Sequence, residues 1–348
     1  MSRSDLEATQ GRIAAFIAER EGLPQDAVQV TGLERLAGGA SRLLWSFDCS
    51  IARPGETPEP RALVLRQDPP GRVAAGVMEL EFELLKAAAG QGVPVPAVYW
   101  YGSNPAVVGA PFFAMDRIEG ESIPRRLLRD DEFRATRAGL TAELGAHLAR
   151  IHAIDTEVPA LRERLTRPEP GQSPAQSEIE RLSVGARQLA VEPHPVLDLA
   201  ERWLRERVPD ATRQTLVHGD YRVGNLIFDK SGTRAILDWE LAHVGDPVED
   251  LGWLCVRAWR FGNDDQPVGG VGQREELIAA YEGAGGDPVD PEALRFWEAC
   301  GNFKLAVVFI TQARAYLDGA HPTVELASLG RRTAEPEAEL LRFMEESP

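Results

Sequence analysis

Apolar residues alternate along the first third of this chain and recur at helical spacing through the rest, a change of period that restricts the fold more than any other feature. Val28-Gln29-Val30, Leu43-Leu44-Trp45-Ser46-Phe47 and Ala62-Leu63-Val64-Leu65-Arg66 read as strands, parted by Gly38-Gly39 and by a loop over 53–60. An antiparallel meander is the simplest arrangement for them. A helix precedes them. Ser4-Asp5-Leu6-Glu7 has the form of a capping box, and Leu6, Ile13, Phe16 and Ile17 supply an apolar face as far as Gly22-Leu23-Pro24. Residues 77–88 predict a second helix, buried along Leu80, Leu84 and Ala87-Ala88. Strands follow at Val98-Tyr99-Trp100-Tyr101 and Pro111-Phe112-Phe113-Ala114-Met115. This order makes a small α+β lobe over residues 1–115.

Asp116-Arg117-Ile118-Glu119-Gly120 reads as a hinge over 116–120, and residues 121–348 as a larger, mainly helical lobe. Leu140, Leu144, Leu148 and Ile151 form a stripe at helical spacing, and residues 167–173, rich in Pro and Gly, read as a loop. Further helices are predicted near 175–188, 196–207, 274–282 and 292–317, with the acidic tail from Glu335 as a partly exposed terminal helix.

The chemistry is concentrated in Val217-His218-Gly219-Asp220-Tyr221-Arg222-Val223-Gly224-Asn225-Leu226 and in Ile236-Leu237-Asp238-Trp239-Glu240. A short buried strand should end in a glycine-punctuated loop that presents Asp220 as a candidate base or hydroxyl-orienting group. Arg222 points the same way on an extended loop, within reach of a transferring phosphate. Residues 226–237 read as a hairpin that folds Asp238 back beside Asn225. An amide oxygen and a carboxylate then offer hard ligands to Mg²⁺, with Glu240 a further candidate for the metal shell, directly or through water. The bland alternative is a silent hairpin in which Asp220 and Asp238 only cap turns. His218 is expected to hold the loop, His147 and His152 to be structural, and Asp246 and Asp250 to cap helices or brace the loop.

Leu36-Ala37-Gly38-Gly39-Ala40-Ser41-Arg42 fits a phosphate-covering turn in which Gly38, Gly39 and Ser41 let backbone N–H groups approach phosphate oxygens, although an ordinary Gly-Gly turn would look the same. The only lysines are Lys86, Lys230 and Lys304. Arg66, ending the third strand, is therefore the natural substitute for the phosphate-binding lysine of kinases, with Glu81 as its partner. A solvated strand-end arginine is the alternative reading.

A net charge of -16 and a pI near 4.9 argue against nonspecific binding to nucleic acid or an anionic membrane. Cys49, Cys255 and Cys300 show no metal-ligand spacing and read as buried small hydrophobes in a reducing compartment. The N-terminus lacks the apolar core of a signal peptide, so a cytoplasmic protein is expected.

Together these residues resemble the aminoglycoside phosphotransferase/choline kinase-like superfamily of small-molecule kinases. Val64-Leu65-Arg66, Glu81-Phe82, Val93-Pro94-Val95-Pro96, Phe112-Phe113-Ala114-Met115 and residues 148–155 extend the likeness over nearly the whole chain. Arg66 in the third-strand position and Asp238-Trp239-Glu240 are most similar to one branch, which includes the kinase-like domain fused to certain acyl-CoA dehydrogenases. The resemblance implies an α+β, bilobal protein-kinase-like fold: a small antiparallel-sheet N-lobe with one helix pair, which binds nucleotide, and a larger, mainly helical catalytic and acceptor-binding C-lobe. It implies ATP in a cleft near the hinge, at Met115, Asp116 and Ile118. Asp220 would be the base, Asn225 and Asp238 the Mg²⁺ ligands, and Arg66 a phosphate ligand anchored by Glu81.

The leading expectation is an ATP-dependent kinase acting on a small hydroxylated metabolite. The branch suggests a hydroxyacyl group carried on CoA, or a hydroxy acid, and Arg257, Arg260, Lys304 and Arg314 are available to meet an anionic acceptor. Two other functions stay open. One is an aminoglycoside kinase using Asp264, Asp265, Glu249 and Glu282 against a polycation. The other is a nucleotide-binding pseudokinase with a regulatory role.

Overall fold

Helix α1 (Arg3–Glu21) leads into β1 (Val28–Arg35), β2 (Leu43–Ile51) and β3 (Arg61–Gln67); α2 (Val77–Gly90) then precedes β4 (Val98–Gly102), the short α3 (Pro105–Val108) and β5 (Phe112–Asp116). The first three strands form the expected meander. The last two do not extend it in order, because β5 pairs with β3 and β4 takes the edge, giving β1-β2-β3-β5-β4 with every pairing antiparallel. The computed structural model describes residues 3–36, 42–55, 57–69, 76–210, 213–320 and 323–346. Two compact units emerge: Met1–Glu119 with Pro159–Arg164, and Gly120–Val158 with Leu165–Pro348.

The two-residue period of the strands explains what each face of the first sheet meets. Leu63, Leu65, Phe112 and Ala114 share one apolar core with Ile13, Phe16 and Ile17 of α1. The intervening Arg66 and Phe113 are cross-strand partners on the opposite face, where the Phe113 ring lies 5.9 Å from Phe82 of α2. Arg66 is thus aimed at α2 by strand geometry and is not a solvated strand end.

The second unit opens with α4 (Pro124–Arg129) and α5 (Arg134–His152), whose Leu140, Leu144, Leu148 and Ile151 are fully buried. The segment carrying α6 (Pro159–Arg162) belongs to the first unit, where Leu161 is buried and Arg164 pairs with Glu79 of α2 at 3.0 Å. Helices α7 (Pro174–Leu189) and α8 (Pro195–Arg205) follow, the former opened by a Ser173–Gln176 capping box. Then come β6 (Thr215–Val217), β7 (Leu226–Asp229), β8 (Gly232–Ile236) and β9 (His243–Gly245), paired as β6–β9 and β7–β8. Helices α9 (Val248–Cys255), α10 (Arg274–Gly283), α11 (Pro291–Leu317), α12 (Val324–Arg331) and α13 (Ala334–Glu346) complete the unit.

Helix α11 is the spine, with α7, α8, α9, α12 and α13 packed along it. Its 27 residues are started by Pro291 and by the Asp290 side chain, which accepts from the Glu292 N–H. Gly252 allows α9 to lie directly on it, since a Cβ there would sit 2.6 Å from the Trp297 backbone. That close approach brings Glu249 and Trp253 of α9 beside Lys304 of α11. No helix among the described residues is long and apolar enough to cross a membrane.

Candidate active site

Strand β6 ends at a sharp reversal through His218 and Gly219. Gly219 has φ +79°, and a Cβ on it would strike the Leu241 carbonyl oxygen, so no side chain fits there. The reversal leaves two buried N–H groups without ladder partners, and one carboxylate serves both. Asp250, from the first turn of α9, accepts from His218 N at 2.7 Å and from Gly219 N at 2.9 Å. Its Oδ2 also meets His152 Nε2 at 3.2 Å, and His152 Nδ1 lies 2.9 Å from the Tyr281 hydroxyl. Burial works against ionising Asp250, but the hydrogen bond and charge of His152 outweigh it and hold the carboxyl below its ordinary range. His218 accepts the Asp220 N–H at Nδ1, 3.2 Å away, and burial pushes its pKa down despite Asp250 and Asp220. Its ring packs on Trp239, 4.6 Å between centroids. The loop is held at every step.

Asp220 is gripped through both carboxylate oxygens. Trp253 Nε1 donates to Oδ1 at 2.8 Å and Arg222 Nε at 3.1 Å, while Asn225 Nδ2 donates to Oδ2 at 2.7 Å. Such a carboxylate has little torsional freedom, as a group that takes a proton from a positioned hydroxyl requires. The Arg222 guanidinium lies 4.6 Å from the centre of the Trp259 ring.

The predicted hairpin forms, pairing Leu226 with Ile236 at one end and Asp229 with Gly232 at the other. A bond from Leu237 N to Asn225 O, 2.8 Å, extends the ladder, so Asp238 emerges beside Asn225. Asp238 is left-handed (φ 69°, ψ 61°), one of two non-glycine residues with positive φ among the described residues. Such backbone costs about 1–3 kcal/mol and persists only where its surroundings impose it. The next residue, Trp239, is buried, and its Nε1 donates to Ile236 O at 3.2 Å. Asn225 turns its NH₂ to Asp220, so its amide oxygen is the atom a cation would use. With Asp238 and half-buried Glu240 this is a hard-oxygen set that fits Mg²⁺, which takes one or two carboxylates plus phosphate and water oxygens. Among the described residues, no three His, Cys, Asp or Glu side chains form a metal cluster by themselves, and this set depends on the Asn225 amide.

In the first unit, Arg66 Nε lies 2.9 and 3.1 Å from the two carboxylate oxygens of buried Glu81. A second buried pair went unforeseen: Arg42 Nη1 meets Asp68 Oδ1 at 3.1 Å. The hairpin register contained the signal, because Leu43 opposite Gln67 puts Arg42 opposite Asp68. Gly38, Gly39 and Ser41 lie outside the described residues. Met115 is half-buried on β5, opposite Val64. Asp116 accepts from the Tyr99 hydroxyl at 2.7 Å, and its N–H bonds to Ala97 O, so this carboxylate is committed within the sheet. Ile118 follows the strand, half-buried.

The cations expected to meet an anionic acceptor are instead paired with carboxylates of the same unit. Arg257 pairs with Asp264 and Glu339, Arg260 with Glu298, and Arg314 with Asp318. Lys304 is buried against Glu249 and Gly219 O. Of the acidic candidates for a polycation, Asp264 is paired with Arg257, Glu249 with His243 and Lys304, and Glu282 accepts the Val289 N–H, while Asp265 is exposed. Asp246 caps α9 through the Val248 N–H, so of the two aspartates it is Asp250 that braces the loop. Trp253 was missed, because a tryptophan on an apolar helix face carries no sign in sequence that its indole N–H will reach Asp220. The three cysteines are free and buried.

The chain belongs to the Phosphotransferase enzyme family, whose model matches residues 32–297. Acyl-CoA dehydrogenase family member 11 of Rattus norvegicus is 31% identical over 297 residues, covering 80% of this chain and 37% of that protein. Acyl-CoA dehydrogenase family member 10 of Mus musculus is 29% identical, over 93% of this chain and 31% of that protein. The chain thus spans about a third of the length of these curated relatives. Among solved structures, a candidate aminoglycoside phosphotransferase from Ralstonia eutropha is similar at TM-score 0.73 and 23% identity, covering 96% of this chain and 98% of that one. The GDP complex of aminoglycoside 2'-phosphotransferase-IIIa is similar at TM-score 0.63 and 15% identity, covering 95% and 99%. At these identities the likeness is one of fold. That fold is α+β and protein-kinase-like, with an antiparallel-sheet N-lobe and a larger helical C-lobe.

Proposed function

We propose that this chain is an ATP-dependent, cytoplasmic small-molecule kinase that transfers the γ-phosphate to a hydroxyl, with a hydroxyacyl-CoA or a hydroxy acid as acceptor. The observation that carries the reading is the Asp220 carboxylate, fixed through both oxygens on a loop whose continuation joins Asn225 to Asp238. Asp220 takes the hydroxyl proton as the acceptor oxygen bonds to the γ-phosphorus and the bond from that phosphorus to the bridging oxygen breaks, releasing ADP. Arg222, beside it, offers positive charge to a phosphoryl group whose negative charge spreads over its oxygens. Asn225 and Asp238, with Glu240 as a further oxygen donor, are the residues that would hold Mg²⁺, which when bound neutralises charge on the nucleotide phosphates. In the first unit, Arg66 is the phosphate-binding cation and Glu81 orients it. The acyl acceptor is suggested by the acyl-CoA dehydrogenase relatives alone, because Arg257, Arg260, Lys304 and Arg314 are paired just as Asp264, Glu249 and Glu282 are.

ATP consumption measured in parallel with hydroxyacyl-CoAs, hydroxy acids and aminoglycosides tests the acceptor. Turnover with a hydroxyacyl substrate is expected, and turnover confined to aminoglycosides would sink the reading. Mg²⁺-dependent ATP binding without transfer to any acceptor, water included, would identify a pseudokinase instead.

Replacing Arg66 tests the donor side. A hydrogen bond to a charged group is worth about 1.5–3 kcal/mol, so Arg66→Ala should raise the ATP dissociation constant by roughly 10- to 100-fold in titration calorimetry. Arg66→Lys, which keeps the charge but not the fork, should recover part of that loss. An unchanged affinity in a folded Arg66→Ala protein would remove Arg66 from the nucleotide site.

A further inference from the structure

We propose that Lys304 is a positioning residue for phosphoryl transfer, setting the geometry of Asp220 from helix α11 through the Gly219 carbonyl and the Trp253 indole. The proposal rests on the kinase reading above. Lys304 lies beyond residues 32–297, which match the family model. Lys86 and Lys230 have side chains 52% and 74% exposed, whereas that of Lys304 is 5% exposed. A buried ammonium is expensive and adds little stability over a well-packed apolar side chain, so its presence asks for another reason.

Its contacts supply one. Lys304 Nζ donates to Gly219 O at 2.8 Å and to Glu249 Oε1 at 3.1 Å, and sits 5.0 Å from the centre of the Trp253 ring. Gly219 O and Asp220 N belong to one peptide plane. Lys304 pins that plane at its oxygen and His218 Nδ1 pins it at its N–H, which orients the Asp220 backbone. The same ammonium lies over the indole that donates to Asp220 Oδ1. Helix α11 therefore reaches the base by two routes without touching it. Glu249 keeps a second partner when the lysine charge is removed, His243 at 3.1 Å.

The test uses Lys304→Met in the full chain. Turnover, read on an identified acceptor or as ATP hydrolysis, should fall about 10- to 100-fold, the usual consequence of misplacing a reacting group by about 1 Å, while ATP affinity holds. The indole N–H resonance of Trp253, assigned by loss of the peak in Trp253→Phe, should move toward its position in Asp220→Ala. An unmoved resonance with unchanged kcat, or an effect limited to thermal stability, would overturn the proposal. If no substrate is ever turned over, the kinase reading fails, and the resonance still decides whether Lys304 sets the Trp253–Asp220 bond. Should Lys304→Met not fold, Lys304→Gln keeps a donor for Gly219 O but no charge, and the same resonance decides.

Discussion

Asp220→Asn is expected to bind ATP with near wild-type affinity and to lose phosphoryl transfer by about 10²- to 10⁴-fold, the range set by removing a general base. The substitution preserves volume but changes what each oxygen position offers. Trp253 and Arg222 donate to Oδ1 and Asn225 donates to Oδ2, so the new NH₂ must face a donor whichever way the amide turns. The variant therefore loses the proton acceptor and at least one of the bonds that aim it. Single-turnover transfer on the acceptor found by screening, with calorimetric ATP binding alongside, separates the two losses. Wild-type transfer by this variant would mean that Asp220 is not the base.

Asp250→Ala should be strongly destabilising, by about 3–5 kcal/mol. It strands the buried N–H groups of His218 and Gly219 and the ring of His152, three partners that one carboxylate now satisfies. Urea denaturation of the variant should show the midpoint lowered with the slope unchanged. The same group predicts a pH dependence. Its folded pKa lies below the ordinary value of 3.8, so its contribution is fully present above that value and is lost as pH falls through the folded pKa. Asp250→Asn should flatten that acid limb. An Asp250→Ala protein within about 1 kcal/mol of wild type would show that the loop does not depend on this brace.

Much of the frame was legible because short-range rules govern it. The apolar alternation marked the strands of the meander, and the polar turn at residues 229–232 announced the hairpin that brings Asp238 to Asn225. The Leu140 stripe predicted α5, and every member is buried. The order of β4 and β5 was not legible, since it depends on which edge of β3 stays open after the meander has formed. The fate of Arg257 and Arg260 was also hidden, because Glu339 and Glu298 reach them from distant helices, whereas Arg314 pairs locally with Asp318 one turn on.

Residue type and spacing by themselves determined the chemistry on offer: a carboxylate base candidate, a hard-oxygen pair for a cation, and an arginine where a kinase lysine would stand. These depend on neighbours within about one hairpin of each other, where backbone geometry leaves few choices. The tertiary structure alone decided how that chemistry is held. Asp250, Trp253 and Lys304 lie 30, 33 and 84 positions beyond Asp220, and they come to its loop only because Gly252 lets α9 settle on α11. Contacts over such distances follow from the packing of whole helices, which no local pattern encodes.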